Sequence, residues 1–316
     1  MKYSREQLLT IAFYNVENLF DTIDDPLTND DKYTAKGERK WTHKRYRRKL
    51  KKISYVISQI GKKVSTETPV IVGLVEVENT RVLEDLVAQK DLRNHGYRYV
   101  HFDSKDERGI DTALLYRAQF FEPVSSKKFQ FNFLDEDGTK DHTRDVLLVS
   151  GFLNEELVHI IVNHWPSRRE GEEETRPKRI QAAKVVQKAV EEIRSKDSEA
   201  KIIIMGDFND NPDSESIEQH LVTKDFYNPM LALQKQGLGT LTFRKEWYLF
   251  DQIILSKNFK KKETEHEFLD VRIFNKRWLK THKGKFKGSP FRTYIGPWYK
   301  GGFSDHFPIY ATFLKK

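Results

Sequence analysis

Six stretches of this 316-residue chain set acids, amides or imidazoles where an apolar run stops or is interrupted. "TIAFYNVENLF" ends on Asn15, Glu17 and Asn18, "VIVGLVEVEN" carries Glu76, and "IIVNHWPSR" carries Asn163 and His164. "IIIMGDFND" carries Asp207 and Asn209, "YLFDQIIL" encloses Asp251, and "GGFSDHFPIYATF" sets Ser304, Asp305 and His306 before the last apolar run. One polar residue at a strand end is ordinary turn chemistry. A carboxylate inside "LFDQIIL" is different, because burying it alone is costly and it needs a cation or an imidazole N–H as partner. Together the six ends form an oxygen-rich donor set with imidazoles, which suits a hard divalent cation, Mg²⁺ or Mn²⁺.

One of these stretches has a second reading. Asp207, Asn209, Asn211, Asp213, Glu215 and Glu218 match positions one, three, five, seven, nine and twelve of a calcium loop. Position six of such a loop needs a glycine free to take positive φ, and Pro212 stands there with φ held near −65°. The run before it, "IIIM", is strand-like, so the spacing match is read as accidental. Ser214 is expected to cap a short helix containing Glu218.

The elements that must carry these residues follow from periodicity. Apolar runs bounded by turn signals predict strands over Leu8–Val16, Pro69–Val77, Tyr97–Phe102, Thr112–Arg117, Arg144–Leu153, Leu157–Trp165, Ala200–Asn209, Leu249–Ser256 and Phe307–Leu314. Helical spacing is seen in Leu50, Ile53, Ile57 and Ile60, in Val82 to Val87, and from about Arg176 to Ser195. Strands recur without intervening helices from Tyr97 to Trp165, against the strict alternation of a doubly wound parallel sheet. Two mixed sheets packed together with helices outside fit better.

Composition bounds the rest. At 38% hydrophobic the chain can bury a sizeable core, and the absence of cysteine excludes disulfides, thiolate catalysis and zinc–thiolate sites. No apolar stretch is long enough to span a membrane, so no membrane insertion is expected. No signal peptide is read at the N-terminus; the chain is cytoplasmic as it stands, or exported if a signal has been removed. From Lys36 to Lys52 ten Lys/Arg face one Glu, which leaves the remainder close to neutral against a total of +8. This segment predicts either a polyanionic partner such as nucleic acid or a solvated helix face.

In order and nearly end to end, the six stretches resemble the endonuclease/exonuclease/phosphatase superfamily, the fold of pancreatic deoxyribonuclease; "GDFN" with "SDH" is the strongest pair. The resemblance implies one catalytic domain over residues 1–316, an α/β (α+β) four-layer sandwich of two mixed sheets flanked by helices, and metal-dependent hydrolysis of phosphate esters. A phosphodiesterase or nuclease is expected. A phosphatase or phospholipase-type enzyme is the alternative, a non-catalytic nucleic-acid-binding module the reading from another class, and a monomer is expected. By the same resemblance Glu76 is the principal metal-binding carboxylate, Asn15 orients or ligates, and Asp305 completes the metal or water site. Asp207 positions the attacking water and Asn209 contacts the phosphate. His306 contacts the scissile phosphate, held by Asp251, and His164 is a second catalytic histidine.

Four assignments go beyond the resemblance. Asp111, opening the strand in "RGIDTALLYR", is expected to pair with His164, since a working histidine needs an orienting acceptor; a turn-capping role is the alternative. Arg168 and Arg169 after "HWPS" are candidates for substrate phosphate, or part of a solvated loop. Arg144 is read as a phosphate ligand or as the partner of a neighbouring acid. Trp298, with Tyr294 and Tyr299, is read as an aromatic surface for a base or leaving group, or as a loop roof.

Overall fold

A computed structural model describes residues 3–131, 133, 134, 138, 140–261 and 264–316. Twelve strands make two mixed six-stranded sheets. The first contains β1 (Leu8–Leu19), β2 (Ile71–Val77), β3 (Tyr97–His101) and β4 (Asp111–Arg117). The second contains β5 (Phe121–Phe129), β6 (Val146–Leu153), β7 (Glu156–His164), β8 (Lys201–Asp207), β9 (Phe226–Tyr227) and β10 (Asp251–Ser256). The chain then returns to the first sheet with β11 (His266–Ile273) and β12 (Ile309–Lys315). The orders are β11-β12-β1-β2-β4-β3 and β9-β10-β8-β7-β6-β5. Each sheet is built around one parallel pair, β1 with β2 and β7 with β8, and all its other pairings are antiparallel.

Strand alternation separates three apolar layers. Leu9, Ile11 and Phe13 of β1 meet Val158, Ile160 and Val162 of β7 and Ile203 and Met205 of β8 between the sheets. Ala12, Tyr14 and Val16 turn outward to helices α1 (His43–Gln59) and α2 (Thr80–Val87). Ile202 and Ile204 turn outward to α3 (Glu172–Arg194). The order is therefore helix, sheet, sheet, helix. Gly73 is required here for closeness: a Cβ on it would lie 2.6 Å from Met205 Sδ of the facing sheet.

The nine expected strands form, and three more of the two sheets, β5, the two-residue β9 and β11, were not read from periodicity. β5 is largely exposed and polar, with Ser125, Ser126, Lys127 and Lys128 in its middle, and β11 alternates poorly. Helix α3 starts at Glu172, upstream of the expected Arg176, and carries Pro177 inside. Three glutamates in its first turn suit the positive helix end, while Pro177, the sixth residue, forfeits the N–H that would otherwise bond the Glu173 carbonyl. The four-residue helix Glu215–Glu218 follows Ser214 at its N-cap.

Candidate active site

The rows of side chains between the sheets end in polar groups at one edge. On β1 the row Leu9, Ile11, Phe13 continues to Asn15; on β7 the row Val158, Ile160, Val162 continues to His164; on β8 the row Ile203, Met205 continues to Asp207. Sheet register then sets Asp207 between His164 on β7 and Asp251 on β10. Strand alternation thus carries apolar side chains into the core and, one step later, sets these polar ones at its rim.

Backbone irregularities supply the rest. β1 bulges between Asn15 and Leu19, where Glu17 and Asn18 have φ of 52° and 53°. β2 and β4 slip register between Val75 and Val77, around Glu76 at φ 64°, so Val75 faces the other sheet while Val77 faces the helices. Asn209 also sits at φ 51°. Left-handed backbone at non-glycine residues is uncommon, and four cases at one site mark where the chain leaves its ladders to aim side chains.

The resulting contacts join both sheets. Asn15 Nδ2 donates to Asp207 Oδ2 at 3.0 Å and to Glu76 Oε1 at 3.3 Å. The Asn18 N–H donates to Glu76 Oε2 at 2.8 Å. His306 Nδ1 lies 2.7 Å from Asp251 Oδ2, and its Nε2 lies 3.9 Å from Asp207 Oδ2. His164 Nε2 stands 3.8 Å from Asp207 and 3.9 Å from Glu76, too far for direct hydrogen bonds. Ser304 Oγ donates to the Asn15 carbonyl and accepts the His306 N–H, tying the "SDH" turn to β1. Asn209 donates its N–H to Asp207 Oδ1 and its side chain to the Trp165 carbonyl. Beside this cluster a cavity of about 560 Å³ is lined by Glu76, Asp305, Glu17, Arg108, Arg169 and Arg292, with Tyr33 and Tyr294 farther along.

Electrostatics divide the two histidines. Burial works against a charged His306, but Asp251 and Asp207 together outweigh it and hold its pKa well above the usual value. Burial drives the His164 pKa well below its usual value, and the Arg144 and Arg108 charges add to that. Burial lifts the Asp207 carboxyl to about 6; the His306 charge opposes that rise and Asp251 adds to it.

Several expectations need correction. Asp111 does not pair with His164: its Oδ2 lies 3.1 Å from His101 Nε2 and its Oδ1 accepts the Ser104 N–H at 3.0 Å. The reason is topological. Asp111 opens β4, whose neighbour is β3 with His101, whereas His164 ends a strand of the other sheet, and its Nδ1 is buried without a hydrogen-bond partner among the described residues. Arg144 is buried, bonded to Asp106 and to the Trp165 carbonyl, so the neighbouring-acid reading describes it. Arg168 turns away to Asp210 and the Asn209 carbonyl, bracing the turn after β8, while Arg169 lines the cavity. Trp298 projects into solvent at 70% exposure from the tip of a hairpin whose Tyr294 lines the cavity. The stretch after Asp207, by contrast, is engaged as the sequence was read: Asn211 accepts the Leu249 N–H, Asp213 accepts from Gln234, and Pro212 stands between them.

Sequence reasoning missed a buried charge network under the cavity. Glu17 accepts the Thr293 N–H at 2.6 Å and lies 3.8 Å from Lys49 Nζ and 3.7 Å from Arg292 Nε. Lys49 donates to Thr293 Oγ1 and the Phe303 carbonyl, and Arg292 donates to Asp305 at 2.6 Å. Burial lifts the Glu17 carboxyl to about 7, Asp305 adds to the rise, and Lys49 and Arg292 oppose it. Lys49, Lys52 and Arg45 belong to the basic segment, so part of that charge is spent inside the molecule: Lys52 donates to the Gly301 carbonyl and Arg45 covers the Tyr299 ring. Lys49 had a signal, since it falls on the apolar face of α1 beside Leu50 and Ile53.

Comparison with known proteins agrees with this fold. Residues 10–316 match the family model described as Endonuclease/Exonuclease/phosphatase family. The chain belongs to that family. Members of this family hydrolyse phosphoester bonds, typically with a divalent metal. Among solved structures, a Caenorhabditis elegans TDP2 superposes with TM-score 0.61 at 16% identity, covering 97% of this chain and 75% of that one. D. rerio TDP2 in complex with a single-strand DNA product gives 0.60 at 14%, covering 98% and 99%. A mannosyl-6-phosphatase of Bacteroides thetaiotaomicron gives 0.58 at 17%, covering 96% and 99%. At these identities the likeness concerns the fold. Comparison with curated protein sequences returns no match.

Proposed function

We propose that this family member is a divalent-metal-dependent phosphodiesterase that acts on nucleic-acid phosphodiesters by direct in-line attack of water. The observation that carries the reading is the convergence of Asn15, Glu76, His164, Asp207, Asp251 and His306 beside the cavity, with one histidine biased toward the charged form and one toward the neutral form about Asp207. The carboxylates of Glu76 and Asp305, both lining the cavity, are hard oxygen donors that fit Mg²⁺ or Mn²⁺, while Asn15, whose Oδ1 accepts the Glu17 N–H, would orient Glu76 through its Nδ2. When bound, the ion would neutralise phosphate charge and polarise the phosphorus centre.

The chain's own groups do the remaining work. Asp207, aligned by Asn15 and the Asn209 N–H, orients water and accepts its proton; a pKa near 6 makes it a usable base at neutral pH. His306, kept as imidazolium by Asp251, donates to a phosphoryl oxygen as charge develops there. His164 acts as a neutral donor from the other side, and Asn209 supplies an amide. None of these roles requires a covalent enzyme intermediate. Every position of the constellation is occupied by a functional side chain, which favours an enzyme over a non-catalytic binding module.

A second reading, a phosphatase of small sugar- or inositol-type phosphates, is favoured by the cavity volume, within the usual range for small-ligand pockets, and by its arginines. Turnover of plasmid, single-stranded DNA, RNA, bis-nitrophenyl phosphate and nitrophenyl phosphate with Mg²⁺, Mn²⁺ or EDTA separates the two. Diester cleavage that EDTA abolishes is the expected result. Monoester turnover alone selects the phosphatase, and no turnover of any ester removes the enzyme reading.

A further inference from the structure

A second cationic stretch lies late in the chain. Residues 276–291 read "KRWLKTHKGKFKGSPF", with Lys276, Arg277, Lys280, Lys283, Lys285 and Lys287 and no acid. It folds back on itself: Phe291 N–H donates to the Leu279 carbonyl, Thr281 N–H to Ser289, Gly288 N–H to Thr281, and Lys280 bridges Pro290. Gly284 and Gly288 take φ of 80° and 92°, and His282 through Lys287 are exposed at the tip, with Phe286 among them.

A separate hairpin, Leu241–Phe243 with Glu246–Tyr248, has Arg244 and Lys245 at its turn with φ of 50° and 76°. Such turns favour Asn-Gly, so two long cations there run against local preference. Phe243 and Trp247 of this hairpin are exposed. The two basic elements meet beside the active site. Trp247 stacks on Phe307 with ring centres 6.0 Å apart, and Lys280 Nζ lies 5.8 Å from the same ring. Phe307 directly follows His306, and its N–H donates to the Thr240 carbonyl at the base of the hairpin.

We infer that these two hairpins form a landing surface for single-stranded nucleic acid, leading a strand to the His306 side of the catalytic cleft. Among the described residues none of Arg244, Lys245, Lys280, Lys283, Lys285 and Lys287 makes an ion pair, so their charge is available. Lysines interleaved with exposed aromatic rings are what a flexible strand needs: cations along the phosphates and flat faces for unstacked bases. The basic segment 36–52 is less suited, because Lys49, Lys52 and Arg45 already donate hydrogen bonds within the fold. The inference relies on the phosphodiesterase reading only for where the strand leads.

Binding of a fluorescein-labelled oligothymidylate, followed by anisotropy in EDTA across a salt series, tests it apart from turnover. Lys283→Gln/Lys285→Gln/Lys287→Gln should weaken binding and lower the log–log salt slope by about 2. Trp247→Ala should weaken it by roughly tenfold and leave the slope intact. Unchanged affinity and slope in the triple variant overturn the inference. It is equally overturned if phosphatidylserine vesicles bind and lose binding in the triple variant while the oligonucleotide does not, since the surface would then serve a membrane. A protein that binds the strand through these residues yet cleaves no phosphodiester retains the surface and loses the hydrolase reading.

Discussion

His306 and His164 face the same cleft from different walls. Behind His306 stands the Asp251 carboxylate at 2.7 Å, contributed by the other sheet. Behind His164 stand guanidinium groups, with Arg144 and Arg108 raising the local potential, and its Nδ1 has no hydrogen-bond partner among the described residues. The same side chain is thus prepared for two charge states by its surroundings alone. An imidazolium can meet developing negative charge, and a neutral imidazole could donate without repelling the cation proposed for Glu76.

The sharpest way to break this contrast is to remove each histidine. His306→Ala should lower kcat by about 10³-fold, near the upper end for a preorganised donor. His164→Gln retains an N–H donor and should cost roughly tenfold, on the scale of a partly replaced hydrogen bond. Equal losses measured on bis-nitrophenyl phosphate would show that charge does not separate the two roles.

Asp251→Asn should come next, with a loss of about 10²-fold in kcat/KM and a change in the pH profile. Without its carboxylate partner His306 loses its proton at lower pH, so the alkaline limb of the profile moves down. An unmoved limb would separate His306 from that limb.

Stability in EDTA should resolve the two walls by sign. The folded state holds a proton on His306 more tightly than the unfolded chain does, so its contribution is full below about pH 6.5 and is lost as pH rises through the folded pKa. For His164 the folded state refuses the proton, so its contribution is present above that value and is lost as pH falls. Denaturant titrations should therefore show His306→Gln destabilising more at pH 6 than at pH 9, and His164→Gln the reverse, as order-of-magnitude pH marks.

Beneath both walls lies the Glu17–Lys49 pair. Lys49→Met should cost about 3 kcal/mol in urea unfolding by leaving a buried carboxylate short of its partner. Glu17 has its folded pKa raised to about 7, so its burial disfavours folding increasingly as pH rises from its ordinary 4.5 through that value. The pH-dependent loss over that window should flatten in Glu17→Gln. The smallest effect is expected at the displaced candidate: Asp111→Asn should leave kcat within about threefold, because it touches His101 and not His164. A loss matching that of His164→Gln would restore the link that the topology denies.

Much of the site could be read before folding because it lies on strands. An apolar run that ends in Asp207 or His164, or encloses Asp251, states its own periodicity, and parity alone then dictates that the polar residue faces the gap between sheets. Glu76 was legible by its place in "VGLVEVEN", but its aim depends on a left-handed residue and a register slip that carry no composition signal. Arg144 and Arg168 were ambiguous as written, since an arginine after a strand can serve a substrate or a neighbouring acid, and only Asp106 and Asp210 decide it.

The sequence by itself determined the layers, the strand ends and the donor types, because burial period and side-chain chemistry are local properties. Which carboxylate faces which imidazole was decided only by tertiary structure. Asp251 and His306 are 55 residues apart and Asn15 and Asp207 are 192 apart. No local pattern encodes such a meeting. It is set by the order in which two sheets pair their strands and by the bulges at their shared edge, and that strand order also sent Asp111 to His101.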